Sequence, residues 1–362
     1  MEEAERLAHD LIPLVASGTP GRVNRELMAA IGAAGLFDRI FGGDDVTATE
    51  LCQIRQGLAR VSPEAETAFA VQGLGGTPIL LAGGDETYQR WVPRLATGEA
   101  VAAFALTERE AGSDAAALTT RAEPDGDGFR ITGEKIYISN APDADVATVF
   151  ARTTPGAGAR GVTAFVVALD SSGVSGEPIE MISPHALGRW EFDGVLVPRQ
   201  DILGDLDHGF GVAMQTLDLF RPSVGAFALG MAEAALGIAV DHAATREAFG
   251  AKLSDLQGVT HQLADVKVAI EATRHLVYGA ARVYDSGEET GLTGKAAMAK
   301  LFATETAQKA VDVAIQVLGA RGLEADSTLA HLYMEVRAPR IYEGTSEIQR
   351  NIIARELFRG TI

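Results

Sequence analysis

The apolar residues of this chain follow two different periods, and the order of these periods limits the possible folds more than any other feature. Before about residue 100 and after about residue 210, apolar positions lie three to four residues apart, as in amphipathic helices. Between them, short β-branched and aromatic runs are separated by Gly, Asp and Pro turns, which predicts strands. Because helices do not alternate with these strands, a parallel βαβ sheet is not expected.

The pattern predicts an α+β, mostly α, protein of three domains. We expect an N-terminal α-helical domain over 1–99, built from several modest helices, and a middle antiparallel β-barrel or sandwich domain over 100–210. An antiparallel four-helix bundle should follow over 211–362. Its last helix is predicted to begin at Thr345 or Ser346, either of which is a good N-cap residue.

Charge and composition exclude several classes of protein. The chain has 362 residues with 49 acidic and 31 basic side chains, a net charge of −18, and no basic cluster of the kind that binds nucleic acid. The N-terminal residues carry no signal pattern, and we see no apolar run of about 18 residues, so we expect no membrane segment and a cytoplasmic protein. The single cysteine, Cys52, is expected in the core, and the histidines show no metal-ligand spacing.

The segment Phe104–Asp114 is the first candidate for chemistry. Its turn at Ala111–Ser113 exposes backbone N–H groups that could hold an anion such as a pyrophosphate, and Thr107 could bond a cofactor heteroatom. A simple turn capped by Ser and Asp explains the same residues. Both interpretations stay open.

The second candidate is the segment Gly133–Asn140. Side chains two apart on a strand point the same way, so Tyr137 and Ser139 should share one face. A ring and a hydroxyl on one face could pack against and hydrogen-bond a flat conjugated cofactor. An ordinary half-buried strand is the alternative.

The third candidate is the segment Ile341–Arg350. Glu343 is followed by Gly344 and a helix start, so its carboxylate could approach a ligand closely, lose water and act as a general base. Alternatively, it is an anion that complements the dipole of the following helix.

These three segments, in this order, resemble the acyl-CoA dehydrogenase family of flavoproteins. The resemblance also includes Leu217–Arg221, Arg246–Gly250, Gln257 and Gln316–Gly319, and it extends from about residue 25 to the C-terminus. The family's architecture has the same α, β, α order.

The resemblance implies FAD as cofactor and a set of residues that hold it. The flavin segment would include Phe104, Leu106, Thr107, Gly112 and Ser113, and the second strand segment Tyr137, Ile138 and Ser139. The residues matching those that bind the ADP half from a neighbouring subunit are Arg246, Phe249, Gln257, Gln316 and Gly319, with Thr345 and Glu347 near the adenosine end. A site shared between chains implies a homo-oligomer, in this family usually a tetramer, with a dimer as the alternative.

The resemblance also implies the reaction, an FAD-dependent α,β-dehydrogenation of an acyl thioester. Glu343 matches the base that removes the α-proton, while the β-hydride passes to flavin N5. Some relatives place the base one residue before the arginine that matches Arg221, but here that residue is Phe220. The candidate substrate contacts are Ser113, Asp218, Arg221 and Gly344. An electron-transfer flavoprotein is the expected electron acceptor.

One departure from the family pattern leaves the substrate open. The stretch Leu187–Phe192 is expected to be a shortened loop, which could admit a bulkier donor. The acyl group could therefore be carried by CoA or by an acyl carrier protein. Two further alternatives are a flavin-dependent oxidase or monooxygenase on the same scaffold and a relative that has kept the fold without the chemistry.

Overall fold

A computed structural model describes residues 1–43, 46–288 and 290–362 of the chain. Two compact units form within it. Unit 1 comprises Met1–Asp10, Thr47–Glu66 and Asp218–Ile362, and unit 2 comprises Leu11–Val46 and Thr67–Leu217. The predicted order of helical, β and helical segments is confirmed, while the three domain boundaries stay a prediction.

Modest helices make up the N-terminal region, as expected. They are α1 (Glu2–Ser17), α2 (Arg25–Ala33), α3 (Asp38–Phe41), α4 (Ala48–Ala59), α5 (Pro63–Ala82) and α6 (Asp85–Ala96). Local sequence sets two of their starts, because the side chains of Asn24 and Thr47 accept hydrogen bonds from the first turns of α2 and α4. Cys52 is fully buried in α4, as predicted.

The middle region forms a sheet that is mostly antiparallel. Its strands are β1 (Ala102–Ala105), β2 (Arg121–Asp125), β3 (Gly128–Ser139), β4 (Val146–Arg152), β5 (Val162–Ala168), β6 (Val174–Pro178), β7 (Leu187–Pro198) and β8 (Ile202–Leu203). The order is β6-β7-β3-β2-β4-β5-β8, with β1 beside β4.

The purely antiparallel prediction is corrected at β4. This strand pairs in parallel with β1 and, at one position, with β2. The chain between β1 and β4 is long enough to return in the same direction, which a short turn cannot do. All but the last residue of β4 are buried, and this burial on both faces suits a central strand.

The C-terminal region contains the predicted long helices. They are α7 (Gly209–Thr245), α8 (Gln257–Asp285), α9 (Leu292–Leu318) and α11 (Ser346–Arg359), with a β9–β10 hairpin (Glu247–Ala248 and Ala251–Lys252) before α8 and the unpredicted α10 (Thr328–Glu335) before α11. A side chain at Gly225 of α7 would meet Val277 of α8 at 2.8 Å. Glycine therefore allows these two helices of the bundle to approach closely.

The expectation that no apolar run is long enough to cross a membrane was wrong for α7. Among the described residues, this helix alone contains an 18-residue window of mean hydropathy 1.7. However, 67% of that window is buried inside the protein. Such burial is typical of a core helix, whose apolar residues contact protein on all sides.

Candidate active site

Glu343 lies in a tight turn between a short 3₁₀ helix (Ala338–Arg340) and α11. Its φ is +52° and that of Gly344 is +91°, so two successive residues adopt left-handed backbone. This conformation is costly for a residue with a side chain. The next residue, Thr345, is the N-cap of α11, and its side chain accepts a hydrogen bond from the backbone N–H of Ile348, as predicted.

Side chains from α9 and α11 hold this turn in place. The Nζ of Lys300 donates to the carbonyl of Gly344 at 2.7 Å. The Nε2 of Gln349 donates to the carbonyls of Glu343, at 3.1 Å, and Gly344, at 3.0 Å. At the start of α11, Ser346 donates to the carboxylate of Glu305 in α9 at 2.8 Å. The strained turn is therefore fixed by several bonds around Glu343.

The carboxylate of Glu343 has an unused oxygen. Its Oε2 is buried and accepts no hydrogen bond from the part of the chain that the structure describes. Burial raises the pKa of Glu343, while the cations of Arg55, Lys300 and Arg221 act in the opposite direction. The alternative role, an anion in the first turn of α11, is filled by the exposed Glu347. Glu343 is thus a partly desolvated carboxylate with a free acceptor site.

A buried ion pair contributes one of these cations. Arg55 of α4 forms a salt bridge with Glu66, and both side chains are almost fully buried. Arg55 also donates to the hydroxyl of Ser223 in α7 at 2.7 Å. The guanidinium is thereby fixed in the same unit as Glu343.

The predicted pair on α7 is also present. Arg221 donates to Asp218 at 2.8 Å across one turn of the helix. Burial raises the pKa of Asp218, and Arg221 opposes this. The Nε of Arg221 is buried and has no acceptor among the described residues. This free donor could bind a polar group of a ligand.

In unit 2, the segment that carries Phe104–Ser113 is anchored by a buried carboxylate. Glu108 accepts from Nζ of Lys135 at 2.7 Å and from the backbone N–H groups of Thr119 and Thr120 at 2.6 and 2.9 Å. Lys135 also donates to the carbonyl of Leu106 at 3.0 Å. These bonds fix the backbone on both sides of Thr107.

Three hydroxyls and one glycine of unit 2 remain accessible to a cofactor. The hydroxyls of Thr107, Ser113 and Ser139 make no hydrogen bond with any described residue. A Cβ placed on Gly112 would meet no atom within 4 Å, so the backbone there is open to a ligand. Free hydroxyls and an open backbone are what the polar edge and phosphates of a flavin nucleotide require, and these residues fit FAD.

The backbone of β3 is irregular at Tyr137, and the expectation that Tyr137 and Ser139 share one face stays a prediction. The register of β3 against β7 shifts between Ile136 and Ile138, and Tyr137 has a φ of +57°. Such an irregularity is typical of a β-bulge. Ile138 is buried, whereas the Tyr137 side chain is 54% exposed.

The residues matched to the ADP half of FAD lie on the surface of unit 1. Phe249, at the tip of the β9–β10 hairpin, is 97% exposed. Gln257 at the start of α8 and Gln316 in the last turn of α9 are exposed as well. Burial lowers the pKa of His242, and the charges of Arg321 and Arg246 add to this effect. Arg246 and Arg321, which follows Gly319, therefore both lie near His242.

Comparison with known proteins identifies the family. The family models for the N-terminal, middle and C-terminal domains of acyl-CoA dehydrogenases match residues 2–99, 103–195 and 207–358. The "Probable acyl-CoA dehydrogenase" of Mycobacterium leprae is 36% identical over 93% of this chain and 88% of that protein. The chain belongs to the acyl-CoA dehydrogenase family.

Solved structures of similar proteins agree with this. The butyryl-CoA dehydrogenase of Megasphaera elsdenii is 31% identical, with a TM-score of 0.92 over 99% of this chain and 97% of that chain. A structure described as PigA with FAD and proline is 26% identical, with a TM-score of 0.92 over 99% of this chain and 96% of that chain.

One expected departure from the acyl-CoA dehydrogenase pattern has a different form in the structure. The stretch Leu187–Phe192 is not a loop, because it is the first half of β7 and pairs with both β3 and β6. Trp190 is 1% exposed within it. Residues with strand propensity and two neighbouring partners continue the sheet to Leu187.

Sequence reasoning missed five residues of these sites: Lys300, Gln349, Arg55, Glu108 and Lys135. One signal was present for Lys300, which is a charged residue on the otherwise small and apolar face that includes Ala296 and Ala303. A buried lysine needs an acceptor, so this position could have been questioned. The partner of Lys300 lies 44 residues away and that of Lys135 27 residues away, so spacing along the chain could not identify them.

Proposed function

We propose that this chain oxidises the Cα–Cβ bond of an acyl-CoA, with Glu343 as the general base. As a member of the acyl-CoA dehydrogenase family it is an oxidoreductase acting on CH–CH groups, and FAD is its cofactor. The observation that carries the assignment of Glu343 is its buried Oε2, which accepts no hydrogen bond from the described residues.

The chemistry requires a base that is both accessible to the substrate and shielded from water. The α-proton of a thioester is weakly acidic, so the base must be positioned and the developing enolate stabilised. Burial raises the pKa of Glu343, which makes its carboxylate a stronger proton acceptor at Oε2. FAD, when bound, supplies the acceptor for the β-hydride.

The backbone around Glu343 supports the enolate. The N–H of Glu343 donates no hydrogen bond within the described part of the chain, and it is therefore available to the thioester carbonyl. The free Nε of Arg221, beside Asp218, suits a polar group on the arm of CoA. A thioester on an acyl carrier protein would offer the same arm and remains a candidate substrate.

The exposed residues of unit 1 support an oligomeric enzyme. Phe249, Arg246, Gln257, Gln316 and Gly319 are proposed to hold the ADP half of an FAD bound by a neighbouring subunit, in a tetramer or a dimer. Thr107, Ser113 and Ser139 would contact the flavin end. We further propose that electrons leave to an electron-transfer flavoprotein and that the enzyme is cytoplasmic, which agrees with the burial of α7.

The decisive test is Glu343→Gln in the FAD-loaded protein. The variant should retain FAD, but its anaerobic flavin reduction by acyl-CoA should fall by about 10²–10⁴-fold, because the amide cannot accept the α-proton. Stopped-flow absorbance of the flavin measures this with a panel of short, medium, branched and carrier-bound thioesters. Glu324→Gln, an exposed carboxylate in the same unit, is the matched control.

Each result of that panel has a definite meaning. Unchanged reduction in Glu343→Gln would remove Glu343 from the mechanism. Rapid reoxidation of the wild-type flavin by air would favour an oxidase or monooxygenase. If FAD is bound but no thioester reduces it, the protein would be a relative that has kept the fold without the dehydrogenation chemistry.

A further inference from the structure

Two buried side chains that touch the Glu343 turn have no assigned role. We propose that Lys300 and Gln349 are positioning residues for proton abstraction: both hold the carbonyls of the Glu343–Gly344 turn, and Lys300 also places a cation beside the carboxylate. This inference rests on the proposed role of Glu343.

Lys300 is in an unusual environment for a lysine. It lies in the middle of α9 and its side chain is 0% exposed. The hydrogen bond to the carbonyl of Gly344, at 2.7 Å, is the one that its ammonium makes with the described residues. Burying an ammonium group is costly unless it is paired, so this contact and the nearby carboxylate of Glu343 explain why the lysine is tolerated.

Gln349 holds the same turn from the other side. This side chain of α11 is also 0% exposed, and its Nε2 donates to two consecutive carbonyls, at 3.1 and 3.0 Å. The Oε1 of the same amide is buried and has no partner among the described residues. The orientation of the amide therefore serves the two hydrogen bonds that it donates to the turn.

Lys300 is charged and Gln349 is neutral, so comparing them separates the effect of holding the turn in position from the effect of a nearby charge. Among the described residues, the cations that face Glu343 are Arg55 of α4, Arg221 of α7 and Lys300 of α9. The phenol of Tyr342 also interacts with Glu343. Lys300 faces Arg221, Glu343, Glu305 and Glu347. Burial lowers the pKa of Lys300 to about 8, so this side chain is still cationic at neutral pH. Its charge lowers the pKa of Glu343, against the effect of burial, whereas Gln349 can only fix the geometry.

The experiment compares Lys300→Met with Gln349→Met in the FAD-loaded enzyme. Both variants should reduce flavin about tenfold to a hundredfold more slowly at saturating acyl-CoA, because misplaced bases lose rate steeply. In Lys300→Met the acidic limb of the pH profile should also move up, on the order of one pH unit, since a stabilising cation is lost. In Gln349→Met that limb should not move. Lys309→Met, an exposed lysine of the same helix, is the matched control.

A second readout reports proton abstraction without any oxidation. Acetyl-CoA has α-protons and no β-carbon, so its exchange with deuterated solvent, followed by NMR, depends on the base alone. Exchange should slow in both variants while the flavin content stays at the wild-type level. Thermal melting identifies a variant that does not fold. If Lys300→Met does not fold, Gln349→Met tests the positioning role and Lys300→Gln tests the role of the charge.

The outcomes separate this inference from the proposed function. Wild-type rates and an unshifted profile in both variants, with Glu343→Gln inactive, would overturn the positioning role and leave the base assignment intact. Full activity of Glu343→Gln would overturn both. A rate loss without any pH shift in Lys300→Met would overturn its electrostatic part.

Discussion

At the scale of single residues, the site depends on a strained turn. Glu343 and Gly344 both have positive φ, and bonds from Lys300 and Gln349 compensate for this conformation. Strain of this kind persists where surrounding structure over-determines it, as it does in many active sites. The sequence signal was Gly344, which predicted a close approach but not the conformation of Glu343.

Gly344→Ala tests that turn. A Cβ on Gly344 would lie 2.7 Å from Nε2 of Gln349, and a residue with a side chain disfavours a φ of +91°. We expect a loss of about 1–3 kcal/mol in the free energy of unfolding, together with slower flavin reduction. Urea unfolding and stopped-flow absorbance measure the two effects.

The matched control is Gly126→Ala, at a turn with a φ of +58° and no neighbour within 4 Å. Gly126→Ala also places a side chain on left-handed backbone, but its Cβ meets no neighbouring atom. If Gly344→Ala loses no more stability and no more activity than this control, the contact with Gln349 has no importance.

At the scale of elements, one buried ion pair holds the segment Phe104–Ser113, which we propose binds the flavin. Glu108 joins this segment to the start of β2 and to Lys135 on β3. Burial would raise the pKa of Glu108, but Lys135 and hydrogen bonds from Thr119 and Thr120 lower it to about 2. Because the folded-state pKa lies below the usual 4.5, the carboxylate stabilises the fold above that pH, and its contribution is lost as the pH falls towards 2.

Glu108→Gln should therefore weaken the hold on FAD. Loss of the carboxylate leaves the Lys135 ammonium buried without its anion, at a cost of about 3–5 kcal/mol. The temperature at which the protein releases its flavin, measured as a rise in flavin fluorescence, should fall. This temperature should depend less on pH below about 4.5 than in the wild type. Glu110→Gln, an exposed carboxylate of the same segment, is the control. Equal release temperatures for the two variants would show that the pair is unimportant.

At the scale of the whole molecule, the surface of unit 1 carries large apolar side chains. The most exposed are Phe249, Phe358, Leu323 and Val268, at 97%, 90%, 71% and 70%. Exposed apolar surface of this kind often marks a protein interface. We therefore expect contacts between copies of this chain.

Phe358→Asp tests that interface. Light scattering after size exclusion should give about four times the chain mass of 38.0 kDa for the wild type, or twice that mass for a dimer. The variant should give a smaller species that retains less FAD, because burying a carboxylate between subunits is unfavourable. Leu81→Asp, a half-exposed position of α5, controls for the added charge. A monomeric wild type would contradict the shared cofactor site.

The sequence alone was sufficient for the order of the elements, because the periods of helices and strands are local properties. It also predicted the residues with recognisable chemistry, namely Glu343 before Gly344 and the hydroxyls of the two flavin segments. The same reasoning did not predict the parallel pairing of β4 or the bulge at Tyr137, since both depend on the partner strand.

Tertiary structure decided the electrostatics of Glu343. Arg55, Arg221 and Lys300 come from three helices that are distant in sequence, and each is buried beside other charges. Whether a charged residue is buried, and which group compensates for it, depends on contacts across the fold, so spacing along the chain cannot reveal it. The sequence therefore determined which groups are available for chemistry, and the packing of the helices determined the environment that tunes them.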